Sequence, residues 1–312
     1  MDLLSDILAK LKLVGTLYFR TEFSSPWSVE VPAFSNVARF HFVHRGRCFA
    51  QVAGESDPVL LEQGDLIIIT HGAGHTLSDP HKVNALSLDE VLEQSGFSGT
   101  GALVHGSHQG GHETQLVCGH FAFDEDASHP LIEALPPFIH ITETSEAAGT
   151  WLDSTLRIIG SEAGRGGLGG DLIALKLSEI IFAQAIRSFL SDKGRNLRPF
   201  SAFADPAIAR ALQAMHADPA RAWSLEDMAR EAGMSRTVFS GRFSELMEMT
   251  PLAYLTEWRM QIARQLLLES DAPIIDVAEQ CGYGSEASFG RVFKKRFALP
   301  PAGYRKARGQ AE

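Results

Sequence analysis

The stretch Ala229-Arg230-Glu231-Ala232-Gly233-Met234-Ser235-Arg236-Thr237-Val238-Phe239 returns, in spacing more than in identity, as Ala278-Glu279-Gln280-Cys281-Gly282-Tyr283-Gly284-Ser285-Glu286-Ala287-Ser288-Phe289. Each copy runs from Ala four positions to Gly, through a short turn to Ser, four positions to Phe, and four more to Phe243 or Phe293. The second copy has one extra turn residue. The small Ala lets a first helix lie close to a second. Gly233 and Gly282 fall where the first helix ends, a place that favours positive φ. Ser235 and Ser285 are N-caps for the second helix. The Phe pairs, at i and i+4, anchor that helix on a core and turn its opposite face outward. Ser224-Leu225-Glu226-Asp227 offers a capping-box start to the first copy, and Pro273 starts the equivalent helix of the second. Two copies with matching spacing predict two helix-turn-helix units, at about 224–246 and 273–297.

Outward from the repeat, the pattern from Asp205 to Arg308 is almost wholly helical. The helix between the copies, Pro251 to Leu268, would fix the two second helices relative to each other. So held, they could enter successive major-groove segments about 34 Å apart on one face of DNA. A helical bundle that binds nothing is the structural alternative.

The region from about Asp205 to Tyr304 resembles the DNA-binding domain of the AraC/XylS family of bacterial transcription regulators. The resemblance is most specific in Ile274-Ile275-Asp276-Val277-Ala278, Gly282-Tyr283-Gly284-Ser285, Phe289, Arg291-Val292-Phe293-Lys294-Lys295-Arg296-Phe297 and Pro300-Pro301-Ala302-Gly303-Tyr304-Arg305. It implies that the exposed face of each second helix reads bases. That face would carry Arg236, Thr237, Ser240 and Gly241 in the first copy, and Glu286, Ala287, Gly290 and Arg291 in the second. Gly241 departs from the longer side chain often found there. Arg291 suits a bidentate guanine contact. Lys294, Lys295, Arg296 and Arg305 are assigned to phosphates.

The first half reads differently. Phe40-His41-Phe42-Val43, Cys48-Phe49-Ala50-Gln51-Val52 and Leu66-Ile67-Ile68-Ile69-Thr70 are short β-prone runs bounded by turn residues, as in an antiparallel barrel or sandwich. Ser95 to His112, rich in Gly, Ser and His, reads as a mobile loop that leaves His105, His108 and His112 solvated. Trp151–Ser161 and Asp171–Leu190 have helical spacing, with a Gly-rich turn at 164–170 between them. These helices could pack on the barrel or pair with another chain. Lys193 to Pro199 is the linker candidate. The expected architecture is α+β: a cupin-like antiparallel β-barrel over 1–145, helices over 146–198 for dimerisation or linkage, and an all-α domain over 199–312.

Gly64-Asp65-Leu66-Ile67-Ile68-Ile69-Thr70-His71-Gly72-Ala73-Gly74-His75 resembles the second cupin motif, with Thr70 in place of its Pro. Leu116 to Asp124, followed by His129-Pro130-Leu131 and Ala134-Leu135-Pro136, resembles the sensory cupin of one AraC-family branch. The two resemblances cover nearly the whole chain and imply a barrel that senses a small molecule or a metal. His71 and His75 flank a Gly-rich turn, while Cys118 and His120 share one strand face, a donor set suited to tetrahedral Zn²⁺. His41 and His44 are further candidates. Against this, barrel histidines can be hydrogen-bonded core residues and Cys118 a small buried hydrophobe. Cys48 and Cys118 could instead form a redox pair; Cys281 belongs to the helical core.

Composition bounds the choice of function. In 312 residues there are 28 Lys+Arg and 38 Asp+Glu, a net charge of −10 that taken whole disfavours nucleic acid. The charge is unevenly placed: residues 1–204 carry −10, 205–285 carry −5 and 286–312 carry +5. No apolar run approaches the roughly 20 residues of a membrane span. The N-terminus is acidic where a signal peptide would be basic, and three scattered cysteines suit a reducing cytoplasm. No phosphate-binding loop is visible, so nucleotide hydrolysis is not expected. The expectation is a non-enzymatic regulator bound to promoter DNA, homodimeric, contacting RNA polymerase if it activates, with an unidentified effector or zinc. The alternatives are a metal-dependent cupin enzyme with a helical appendage, which lacks the usual first cupin motif, and a barrel that only dimerises.

Overall fold

The computed structural model describes residues 2–142 except 13, 82, 100, 107–111 and 125; residues 154, 155 and 158; and residues 168–308 except 192, 193, 195 and 196. Most of the helix expected at Trp151–Ser161 and of the turn before residue 168 therefore lies outside the described residues. The chain forms two units: Leu13–Asp124 with Leu135–Asp192, and Met1–Lys12 with Glu125–Ala134 and Lys193–Glu312.

The first unit is built on two sheets. One has the order β11-β6-β3-β10-β1-β9 and the other β5-β4-β7-β2-β8. The strands are β1 (Val14–Ser24), β2 (Ser28–Val31), β3 (Val37–Arg45), β4 (Cys48–Val52), β5 (Val59–Leu61), β6 (Leu66–Ile69), β7 (His75–Ser78), β8 (Leu86–Ser87), β9 (Ala102–Gly106), β10 (Glu113–Ala122) and β11 (Phe138–Ile141). Helix α2 (Leu88–Ser95) begins on a Ser87–Glu90 capping box. β4 alternates, with Cys48, Ala50 and Val52 turned inward. β3 does not: Ala38 to Val43 are all buried. Its second face is roofed by aromatic packing, Phe40 on Phe121 at 4.9 Å and Phe121 on Phe182 at 4.7 Å. Phe182 belongs to α4 (Gly170–Ser191), the helix whose apolar spacing is plain in the sequence. Gly119 is required there, because a Cβ would stand 2.4 Å from the Thr16 carbonyl oxygen and 2.6 Å from Phe40.

Two expectations need correcting. The pairings are not all antiparallel, since β1–β9 and β2–β8 run parallel, and the sheets do not close into one barrel by hydrogen bonding among the described residues. The stretch read as a loop contains β9, which Leu103 anchors in the core. His105 on that strand is half-buried, 6.0 Å edge-on from Phe23, with burial holding its pKa below the ordinary value.

The second unit is helical: α1 (Leu3–Leu11), α3 (Pro130–Glu133), α5 (Phe200–Ala204), α6 (Pro206–Ala217), α7 (Leu225–Ala232), α8 (Arg236–Met247), α9 (Pro251–Glu269), α10 (Ile274–Gln280), α11 (Glu286–Phe297) and α12 (Pro301–Arg308). Two cores form, one around Phe239, Phe243, Met228 and Leu212, the other around Phe289, Phe293, Phe297 and Val277. α9 serves both, giving Tyr254 and Leu255 to the first and Met260, Ala263 and Leu267 to the second. At 1.5 Å per residue it is roughly 28 Å long, a rigid spacer between the two. Residues expected in the first domain join this unit: Leu3 of α1 enters the first core.

Candidate nucleic-acid interface and sensor cavity

The repeat forms as its spacing predicts. Ser224 and Asp227 make a reciprocal capping box at the start of α7, and Gly233 ends it at φ 67°. Ser235 caps α8 by accepting from the Val238 N–H, and Ser285 caps α11 by accepting from the Ser288 N–H. Gly282 lies at φ 77°, where a Cβ would meet the Ala220 carbonyl oxygen at 2.6 Å. The Phe rings of each pair sit 5.6 and 5.5 Å apart and are fully buried. α8 and α11 consequently turn their other faces outward. Thr237, Glu286, Ala287 and Arg291 are exposed, and Ser240 is half-buried. Val238, not singled out in the sequence because it interrupts a polar face, is 56% exposed.

The cations divide by copy. In the first, Arg236 pairs with Glu226 at 3.0 Å, Arg230 with Asp227 at 3.0 Å, and Arg242 with Asp205. In the second, Arg291, Lys294 and Lys295 are exposed and have no ion pair among the described residues. Arg296 and Arg305, expected at phosphates, are held inside the unit. Arg296 donates to Glu257 at 2.6 Å and to Ser128. Arg305 donates to the carbonyl oxygens of Leu267 at 3.3 Å and Ala272 at 2.7 Å.

Two segments outside the repeat grip this unit. Asp126 accepts from Tyr304 and Arg308, each at 3.1 Å. His129 Nδ1 accepts from the Leu131 N–H, so its Nε2–H must donate to the Tyr254 hydroxyl, 3.1 Å away. That hydroxyl then donates to His216 Nε2 at 2.7 Å, and His216 Nδ1–H donates to Asp6 at 2.9 Å. Burial lowers both histidines, His129 well below the usual range; for His216 the Asp6 carboxylate opposes the effect. No local pattern reveals this chain, because its bonded neighbours lie up to 210 residues apart.

The first unit holds an apolar cavity of about 30 Å³, room for about two waters. Phe23, Val29, Leu77, Leu103 and Leu116 line it, with Arg39, His41 and Cys118 at its polar end. His75 Nδ1 lies 3.0 Å from the Ala73 carbonyl oxygen, to which it donates. Its Nε2 is then bare and accepts the His41 Nε2–H at 2.8 Å, which leaves His41 Nδ1 to accept the Cys118 thiol proton at 3.1 Å. Every member of this chain is neutral. Burial drives His41 well below its usual range and His75 to about 4, and raises the Cys118 thiol. Cys48 is pushed up to about 12, again by burial.

These contacts test the zinc expectation. Cys118 and His75 engage opposite edges of the same His41 imidazole and so cannot meet at one ion. His71 is turned away to the Leu135 carbonyl oxygen at 2.8 Å, and His120 is half-buried, its pKa lowered by burial. Among the described residues no group of three His, Cys, Asp or Glu is placed to hold a metal ion. As arranged here, His71, His75, Cys118 and His120 are not gathered around one point.

A cupin family model matches residues 2–191 and a helix-turn-helix domain model matches residues 228–307. A cupin joined to a paired helix-turn-helix defines a DNA-binding transcription regulator. Over 309 residues the chain is 31% identical to an AraC-like transcription regulator of Streptomyces lividans, covering 98% of each. Over 316 residues it is 30% identical to a second from Streptomyces antibioticus, covering 98% of this chain and 99% of that one. The transcriptional regulator AlkR of Acinetobacter baylyi is 29% identical over 310 residues, covering 98% and 99%. The chain belongs to the AraC-like transcription regulators. No helix among the described residues is long and apolar enough to cross a membrane.

Proposed function

We propose that this regulator acts in the cytoplasm as a homodimer on promoter DNA, governed by a small, mostly apolar effector that the cupin cavity receives by widening from its present two-water size. The observation that carries the DNA contact is the pair of capped, Phe-anchored helices whose outward faces are open. Arg291 reads a guanine edge; Lys294 and Lys295 take phosphates. Thr237, Ser240, Ala287 and Glu286 stand along base edges, and Arg236 reaches DNA only by leaving Glu226. As an activator the protein would also contact RNA polymerase.

The apolar lining supports the effector class, with Arg39 and His41 as the polar end that orients it. A redox signal has less support, because burial keeps both thiols protonated. That the relatives are transcription regulators supports the regulator over the enzyme alternative. Leu172, Ile173 and Ile180, exposed along α4, support pairing with a second copy.

Mobility shift with the full-length chain across promoter fragments tests the DNA contact: selective, salt-sensitive shifts are expected, and uniform affinity for every fragment would refute it. Sedimentation of wild type and Ile180→Glu tests the dimer. An unaltered mass in the variant would refute the α4 pairing.

A further inference from the structure

The outward face of α8 carries a glycine that nothing inside the protein demands. Phe239, Phe243 and Met247 bury one side of the helix, and Gly241, two positions from each Phe, stands on the opposite side. A Cβ there would meet nothing within 4 Å. Gly241 is also absent from the residues with positive φ, so alanine would fit without strain. A mid-helix glycine weakens the helix relative to alanine. Its equivalent in the second copy, counted from the Phe pair, is the exposed Arg291.

A second observation concerns reach. The arginines of α8 are both engaged, Arg236 with Glu226 and Arg242 with Asp205, and Glu245 on the same helix pairs with Arg198 at 3.1 Å. Apart from these paired side chains, what remains outward is short: Thr237, Val238 and Gly241, with Ser244 half-buried. Such a face cannot touch a duplex across a gap. It must come to van der Waals range, where a Cβ at its centre would be in the way.

Resting on the DNA-binding reading, we propose that Gly241 is a positioning residue that seats the α8 backbone directly against duplex DNA, bringing Thr237 and Val238 within reach of thymine methyl groups. α11 reaches its own segment with Arg291. The two copies thus read DNA by different means, close backbone approach in the first and a long side chain in the second.

The test is Gly241→Ala in the full-length chain, on a duplex that the wild type selects from a random-sequence pool. The thermal midpoint should rise by about 2–4 °C, because the helix is stronger. Affinity should fall by at least about tenfold. In footprinting, the half-site of the first copy should lose protection while that of the second keeps it. A higher midpoint with unchanged affinity would overturn the proposal. So would a lower midpoint, which would give the glycine a role in the fold. If the wild type selects no duplex, the parent reading fails instead, and the two failures are distinguishable.

Discussion

Acid should loosen the cupin unit through His75, and the size of the effect follows from its burial. Nδ1 donates to the Ala73 carbonyl oxygen and Nε2 accepts from His41. Protonation would set an Nε2–H against the His41 Nε2–H, donor to donor at 2.8 Å. Burial, with Arg39 nearby, holds the folded pKa at about 4, against 6.5 in the unfolded chain. A base with a depressed folded pKa gives its full stability above pH 6.5 and loses it as pH falls toward 4. At about 1.4 kcal/mol per unit, the loss from His75 is about 2 kcal/mol between pH 7 and pH 5, and about 3 kcal/mol below pH 4. Urea unfolding of the full-length chain at pH 7, 6 and 5, beside His75→Gln, measures it. Gln can still accept from His41 but does not titrate. The variant should be less stable at pH 7, with a pH dependence flatter by about 2 kcal/mol over this span. Nitrogen-15 shifts of labelled histidine should also show the Nδ1–H tautomer of His75. An unaltered pH dependence in the variant, or an Nε2–H tautomer, would refute the reasoning.

Three other outcomes are expected. Lys294→Ala with Lys295→Ala should reduce the slope of log affinity against log salt by about 1.8; Arg305→Ala should lower the unfolding midpoint and leave that slope unchanged. Tyr254→Phe strands a His129 N–H and a His216 lone pair, so chemical unfolding should show a loss of about 2 kcal/mol or more, whereas a neutral variant would contradict the hydrogen-bond chain. Cys48 and Cys118 should resist iodoacetamide at pH 8 until the protein unfolds, and rapid native labelling seen by mass spectrometry would contradict their buried, protonated state.

What the sequence discloses is mostly local. The caps at Ser224, Ser235 and Ser285, the turn glycines and the i, i+4 Phe pairs act within one or two helical turns, so their spacing suffices to place both helix-turn-helix units. β4 and β6 show the same economy. Contacts made across the fold are illegible by that route. His71 and His75 are near in sequence, yet one lies on a turn that faces Leu135 while the other begins β7 and faces His41. The partner of Cys118 is 77 residues away across β3 and β10, not the neighbouring His120. Arg296 reads as a phosphate contact until Ser128 and Glu257 are brought to it by remote segments. β9 hid in a Gly- and His-rich stretch because, among the described residues, it pairs with only one neighbour, β1, and needs little apolar sequence of its own.

The most direct measurement is a hydroxyl-radical footprint of the full-length protein on the duplex it selects from a random pool, taken alongside affinities for selected and scrambled duplexes. The expected pattern is protection of two successive major-groove segments on one face, centred about 34 Å apart, with selected sequence bound far more tightly than scrambled. Equal affinity for both duplexes, or protection of one segment alone, would contradict recognition by two rigidly spaced helices.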